Sequence, residues 1–192
     1  MALELIAAVA SGDAEQAKQL LAAGGDIEAR DAEGSTLLML AAATGNFPMV
    51  SLLVTSGAQV NVRDERGWSP LMKSVYNAEQ DCGFPDVAAY LIAHGADVEA
   101  AIGFGVRPLM LAAGYGEIGV VETLLDAGAD VLARNEGGFT ALMMVKQKHN
   151  VDVINRLHEA ERDAGVEEGS CATKNAPGVN VVTFLKPFAK SH

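Results

Sequence analysis

One period dominates this chain. Gly34, Gly67, Gly105 and Gly138 lie 33, 38 and 33 residues apart, and a similar tetrapeptide follows each glycine after one intervening residue. The four are Thr36-Leu37-Leu38-Met39, Ser69-Pro70-Leu71-Met72, Arg107-Pro108-Leu109-Met110 and Thr140-Ala141-Leu142-Met143. A unit of this length is too small to bury its own apolar face, so copies must stack to make a shared core.

Residues 31–63, DAEGSTLLMLAAATGNFPMVSLLVTSGAQVNVR, show the unit best. Asp31-Ala32-Glu33-Gly34 reads as a turn, and Thr36 can cap a helix through its hydroxyl. The spacing predicts a first helix over 37–43, in which Ala41 and Ala42 let a neighbouring helix come close. Gly45-Asn46 stops it. Pro48 suits the first turn of a second helix, because its missing N–H has no intrahelical role there. Val50, Leu52 and Leu53 give that helix its apolar stripe, and Gly57 closes it in a left-handed cap. Val60 and Asn61 then extend towards the next turn.

On these residues the chain resembles the ankyrin-repeat family, whose signature runs D-x-x-G-x-T-P-L-H-x-A-A, a glycine, V-x-x-L-L and G-A-D-V-N. GSTLLMLAA, GWSPLM, GVRPLMLAA and GFTALM match its first part, and SLLVTSGAQVN, AYLIAHGADVE and ETLLDAGADVL its second. The resemblance covers roughly residues 3–165 and implies an all-α ankyrin solenoid of helix–turn–helix–β-turn units. The implied division is an N-terminal capping repeat (1–30), repeats at 31–63, 64–101 and 102–134, a C-terminal capping repeat (135–168) and a basic, apolar tail (169–192). The first cap is a worn copy (Ala7-Ala8, Gly12, Leu20-Leu21, Gly24-Gly25-Asp26-Ile27). In the last unit His149 replaces the turn glycine, and Glu159, Glu161, Arg162 and Asp163 suit a polar outer face. The third repeat is five residues longer, near Ala78-Glu79-Gln80-Asp81-Cys82, which the register places between its two helices.

Met39, Met72, Met110 and Met143 stand where the signature has histidine. Stacked units place equivalent residues about 8–10 Å apart, whereas sulfur ligands sit ~2.3 Å from a shared ion. Four sulfurs on such a ladder cannot converge, so the expectation is packing between repeats rather than metal binding. The family's histidine ties its turn by hydrogen bonds, and its replacement puts that tie in question here.

Composition narrows the function classes. Aromatic residues are only 5% of the chain, which favours closely packed helices over an aromatic-rich sandwich. A formal charge of −11 opposes non-specific nucleic-acid binding and attraction to anionic membranes, and favours a basic partner. Cys82 and Cys171 are far apart and in no C-x-x-C pattern, so neither a disulfide framework nor a zinc module is expected, and a reducing compartment is. The N-terminal segment has Glu4 near its start and no basic region, and reads as an amphipathic helix rather than a signal peptide. No apolar run reaches the ~18 residues of a membrane span. The expected address is the cytoplasm.

Catalytic and cofactor motifs fail on context. Gly114-Tyr115-Gly116-Glu117-Ile118-Gly119 is a literal GxGxxG, but the register puts a helix, not a strand, before it, and a dinucleotide site needs the strand. His94, His149, His158 and His192 have no metal-ligand spacing. Cys82 has no histidine near it in the repeat register, and the paired carboxylates fall at turn tips and in the tail, without a cleft. No enzyme, cofactor or metal is expected; an enzyme or redox/metal protein using Cys82, Cys171, the histidines or the methionines is the alternative.

The resemblance implies a partner-binding concave surface built from turn tips and first helices. Carried onto this sequence, the candidates are Glu33, Arg66, Trp68, Tyr76, Phe104, Tyr115 and Phe139, with Ser35, Thr44, Asn77 and Val106 beside them. Aromatics in three turns and tyrosines at two helix ends, flanked by acids and arginine, have the character of a binding hot spot. Ile102 replaces the usual turn aspartate, so that turn is expected to be apolar, flexible and exposed. The insertion would extend the surface with two acids beside Tyr76. Residues 171–192 carry three lysines and no acids, and their β-prone run Val179–Leu185 suits a tail folded back over the acidic repeats or a second docking peptide rather than the third alternative, a disordered tail. The expectation is a scaffold, assembly factor or inhibitor/immunity-type protein, monomeric when alone.

Overall fold

The computed structural model describes residues 1–145 and 150–165. Within them ten α-helices follow one another as pairs: α1 (Ala2–Ser11) with α2 (Ala14–Ala22), α3 (Leu37–Ala43) with α4 (Phe47–Thr55), α5 (Pro70–Lys73) with α6 (Pro85–Ala93), α7 (Pro108–Tyr115) with α8 (Ile118–Asp126), and α9 (Ala141–Met144) with α10 (Val151–Asp163). No strand occurs among the described residues; three isolated bridges, Arg30–Thr36, Asn77–Cys82 and Ile102–Val106, close loops. The first helices α1, α3, α5, α7 and α9 pack in one row, and α2, α4, α6, α8 and α10 in a second row against it. None of these helices is long and apolar enough to cross a membrane.

Local chemistry sets the helix boundaries. The hydroxyls of Thr36, Ser69 and Thr140 accept the amides of Met39, Met72 and Met143 at 3.3–3.4 Å, satisfying a helix-start donor that has no intrahelical partner. At Arg107 no side chain caps the helix. Asp13 and Asn46 cap the second helices of the first two pairs through Gln16 and Met49. Pro70, Pro85 and Pro108 open α5, α6 and α7, where a missing N–H costs nothing.

Small residues set how closely the pairs approach. Ala41, Ala42, Ala112 and Ala113 are completely buried between rows, with Leu38, Leu53, Leu71, Leu91 and Leu124 around them. The inter-helix glycine of one unit is covered by the next unit. A Cβ on Gly45 (φ +67°) would stand 2.3 Å from the Phe84 ring, and one on Gly116 (φ +85°) 2.1 Å from the Asn150 amide. These glycines are required twice over, by their left-handed backbone and by the ring or amide packed on them.

Met39, Met72 and Met110 are buried between units as expected, but Met143 is 55% exposed. Its helix α9 packs chiefly on α7 and α10, and among the described residues no further first helix covers this methionine. The third unit also departs from the register. Its first helix stops at Lys73, and Tyr76 lies three residues beyond the helix rather than at its end. The insertion is a closed loop: Asn77 and Cys82 exchange backbone hydrogen bonds, and Asn77 accepts the amides of Glu79 and Gln80.

Replacing Gly57 and Gly45 separates backbone from packing. Gly57 (φ +97°) has open space around it, so Gly57→Ala should cost only the ~1–2 kcal/mol of a left-handed alanine. Gly45→Ala should cost that plus the ~1–3 kcal/mol of overpacking against Phe84. Urea unfolding midpoints of the two variants measure the difference; equal midpoints would mean that Phe84 does not fix the spacing of these units.

Candidate functional site

The turns that precede the first helices are held by one repeated device. The Asp31 carboxylate accepts the amides of Glu33 and Ser35 at 2.9 and 2.8 Å. Asp64 does the same for Arg66 and Trp68 at 3.0 and 2.8 Å, and the Asn135 side-chain oxygen accepts Phe139 N–H at 2.9 Å. Arginines staple the same turns. Arg30 and Arg134 donate to the carbonyls of Gly34 and Gly138 at 2.6 Å, and Arg63 to Ala101 at 2.6 Å. This network ties the turns in a chain that has methionine in place of the signature histidine.

Asp64 is the most buried of these carboxylates. Its Oδ2 lies 3.1 Å from Lys73 Nζ, and that ammonium also sits 5.5 Å from the centre of the Trp68 ring. Burial alone would push the Asp64 carboxyl up, but the amides of Trp68 and Arg66 and the Lys73 charge outweigh it and hold it below its ordinary value. Trp68 is therefore half-buried and packed into its own turn.

The fourth turn lacks the device because Ile102 has no acceptor to offer. It forms a short 3₁₀ turn, Gly103–Gly105, in which Phe104 takes a left-handed backbone (φ +63°, ψ +18°). The Ile102–Val106 bridge and a 2.9 Å hydrogen bond from Glu136 N–H to the Phe104 carbonyl pin it. Phe104 stands 79% exposed, and Phe139, in the next turn, 51% exposed.

At the other end of the first helices, Tyr76 and Tyr115 stack with ring centres 4.1 Å apart and planes 6° from parallel. The Tyr76 hydroxyl donates to Asp81 at 2.8 Å. That bond, followed by burial and by the charges of Asp81 and Glu117, holds the Tyr76 phenol above its ordinary value. Glu117 accepts the Gly83 amide at 2.8 Å, and Asn77 donates to the Ala43 carbonyl at 2.8 Å, so the insertion is fastened to the units on both sides.

Of the residues read from the sequence, Glu33, Arg66, Phe104, Tyr115 and Phe139 are exposed, and Trp68 and Tyr76 are half-buried. The structure brings Tyr76 and Tyr115 together in one stack. Ser35 is the correction: it is 4% exposed, buried because its amide is drawn onto Asp31. Of the two acids that the insertion was expected to set beside Tyr76, Asp81 is the one bonded to the Tyr76 hydroxyl. The GxGxxG segment spans the end of α7, a left-handed Gly116 and the start of α8, so helices lie on both sides of it and no dinucleotide motif is formed. Among the described residues no group of three His, Cys, Asp or Glu could hold a metal ion. Cys171, His149, His192 and the 171–192 tail lie outside the described residues.

Helix pairs, left-handed turn glycines and capped first helices define a stacked-repeat protein. The chain belongs to the ankyrin-repeat family: the family model described as ankyrin repeats (3 copies) matches residues 5–102 and 83–168. Ankyrin repeats are protein–protein interaction modules, typically without enzymatic activity. The chain is also similar to human palmitoyltransferase ZDHHC17, at 42% identity over 59 residues, which is 31% of this chain and 9% of that protein.

The Asp64 carboxylate should make stability pH-dependent. A carboxylate with a lowered folded value contributes stability that is complete above about pH 4 and is lost as pH falls through that value. Urea unfolding between pH 6 and 3 should therefore show a loss on acidification that Asp64→Asn reduces. Asp64→Ala should cost about 1–3 kcal/mol at pH 7 by stranding two amides. An unchanged acid limb in the asparagine variant would contradict the assignment.

Proposed function

We propose that this protein is a non-catalytic recognition module. It binds a basic partner protein on the face made by the turns and first helices, concave in this family, and serves as a scaffold, assembly factor or inhibitor. The observation that carries the reading is the division of charge on the turn side. Lys73 pairs with Asp64 and Arg107 with Glu99, whereas Arg30, Arg63 and Arg134 are held on backbone carbonyls and, with the exposed Arg66, keep their charge. Glu33, Glu65, Glu79, Asp81 and Glu136 are exposed around the aromatic residues. Such a surface attracts cations and offers Phe104, Phe139 and Tyr115 as apolar anchors. Glu33 and Arg66 set the charge pattern at the tips, and Trp68 stiffens its turn beneath Lys73.

The double variant Phe104→Ala/Phe139→Ala tests the reading. Both side chains are mostly solvent-exposed, so the circular dichroism spectrum should not change. Affinity for the partner recovered on the wild-type chain should fall at least about tenfold, as for a hot-spot pair. Undiminished binding by the folded double variant would place the interface elsewhere.

A further inference from the structure

The Tyr76–Tyr115 stack and its surroundings carry an inference that deepens the proposed function and rests on the turn side being the binding face. We propose that this stack, with Asp81 and Glu117, is an arginine-reading subsite that accepts a guanidinium from an extended basic segment of the partner. Three observations support that occupant. Tyr76 covers one face of the Tyr115 ring, and Tyr115 remains 47% exposed, so an aromatic surface is open to solvent. Carboxylates come from two different units: Asp81 from the insertion, held against the Tyr76 hydroxyl, and Glu117 from the following helix pair. Among the described residues Lys73 pairs with Asp64 and Arg107 with Glu99, and Arg66 stands in the turn at the other end of its unit. The patch therefore combines an aromatic face with negative charge.

Arginine fits this combination better than lysine. Its planar guanidinium stacks on an aromatic face while its N–H groups reach a carboxylate, and it is more weakly hydrated than an ammonium. The insertion gains a role by the same reasoning. Its closed Asn77–Cys82 loop delivers Asp81, at a left-handed backbone (φ +51°), to the tyrosine stack. The repeat pattern alone supplies no acid at that place.

The test is a titration of the full chain with a Gly/Ser peptide carrying two arginines, followed through the ring resonances of Tyr76 and Tyr115. The same peptide with citrulline or lysine replacing arginine serves as comparison. The arginine peptide should shift both rings, the lysine peptide should bind about two- to fivefold more weakly, and the citrulline peptide should leave the rings unmoved. Tyr115→Leu and Asp81→Asn should each weaken the arginine peptide by at least about twofold without changing the circular dichroism spectrum. Equal shifts with citrulline, or arginine binding untouched by both variants, would overturn the subsite. Shifts at Phe104 and Phe139 but not at the tyrosines would overturn it while leaving the turn face as the binding surface. Shifts confined to the second row of helices would remove both.

Discussion

Everything here depends on how closely one helix pair can approach the next. Alanines 41, 42, 112 and 113 have no exposed surface, and Gly45 and Gly116 are pressed by Phe84 and Asn150 from the following unit. A helix of seven or eight residues, such as α3 or α7, is marginal in isolation. Its stability comes from contact on both sides, so the tolerance for a larger side chain at these positions is small. The same closeness aligns the turns in a row, which is what gives them a common face.

The turn network turns that scaffold into a surface. At the head of the turns Asp31 and Asp64 each gather two backbone amides and Asn135 one, and Arg30 and Arg134 are held by carbonyls. Turn stability and side-chain placement are thus linked, because the acceptors and arginines that tie the turns are themselves held in fixed positions. The fourth turn shows the other side of this link. With Ile102 in place of the acceptor, the backbone resolves into a left-handed Phe104, a conformation that costs a non-glycine residue about 1–2 kcal/mol. Its pinned carbonyl keeps the phenyl ring outward.

The fold was legible because its signal is periodic: turn, cap, glycine and apolar stripe recur in register along the chain, and each has a direct physical reading. Thr36, Ser69 and Thr140 cap as their hydroxyls suggest. Where the sequence misled, the period had nothing to say. Ser35 looks like a tip residue until its amide is seen on Asp31, and Met143 repeats a buried position where, among the described residues, no further first helix covers it. Of the candidate surface, the exposed aromatics could be read from their place in the unit. The Tyr76–Tyr115 stack could not, because it joins residues 39 apart through an insertion whose path no repeat template encodes. That the insertion would bring an acid beside Tyr76 was legible, and the structure selects Asp81 for it.

The central claim is that a partner meets the turns and first helices, not the outer row. Hydrogen–deuterium exchange of the chain, free and bound to the partner it captures, tests this most directly. The account predicts new protection at 31–35, 64–68, 76–82, 102–106 and 135–139, with the amides of α2, α4, α6 and α8 unchanged. Protection confined to those four outer helices would contradict it.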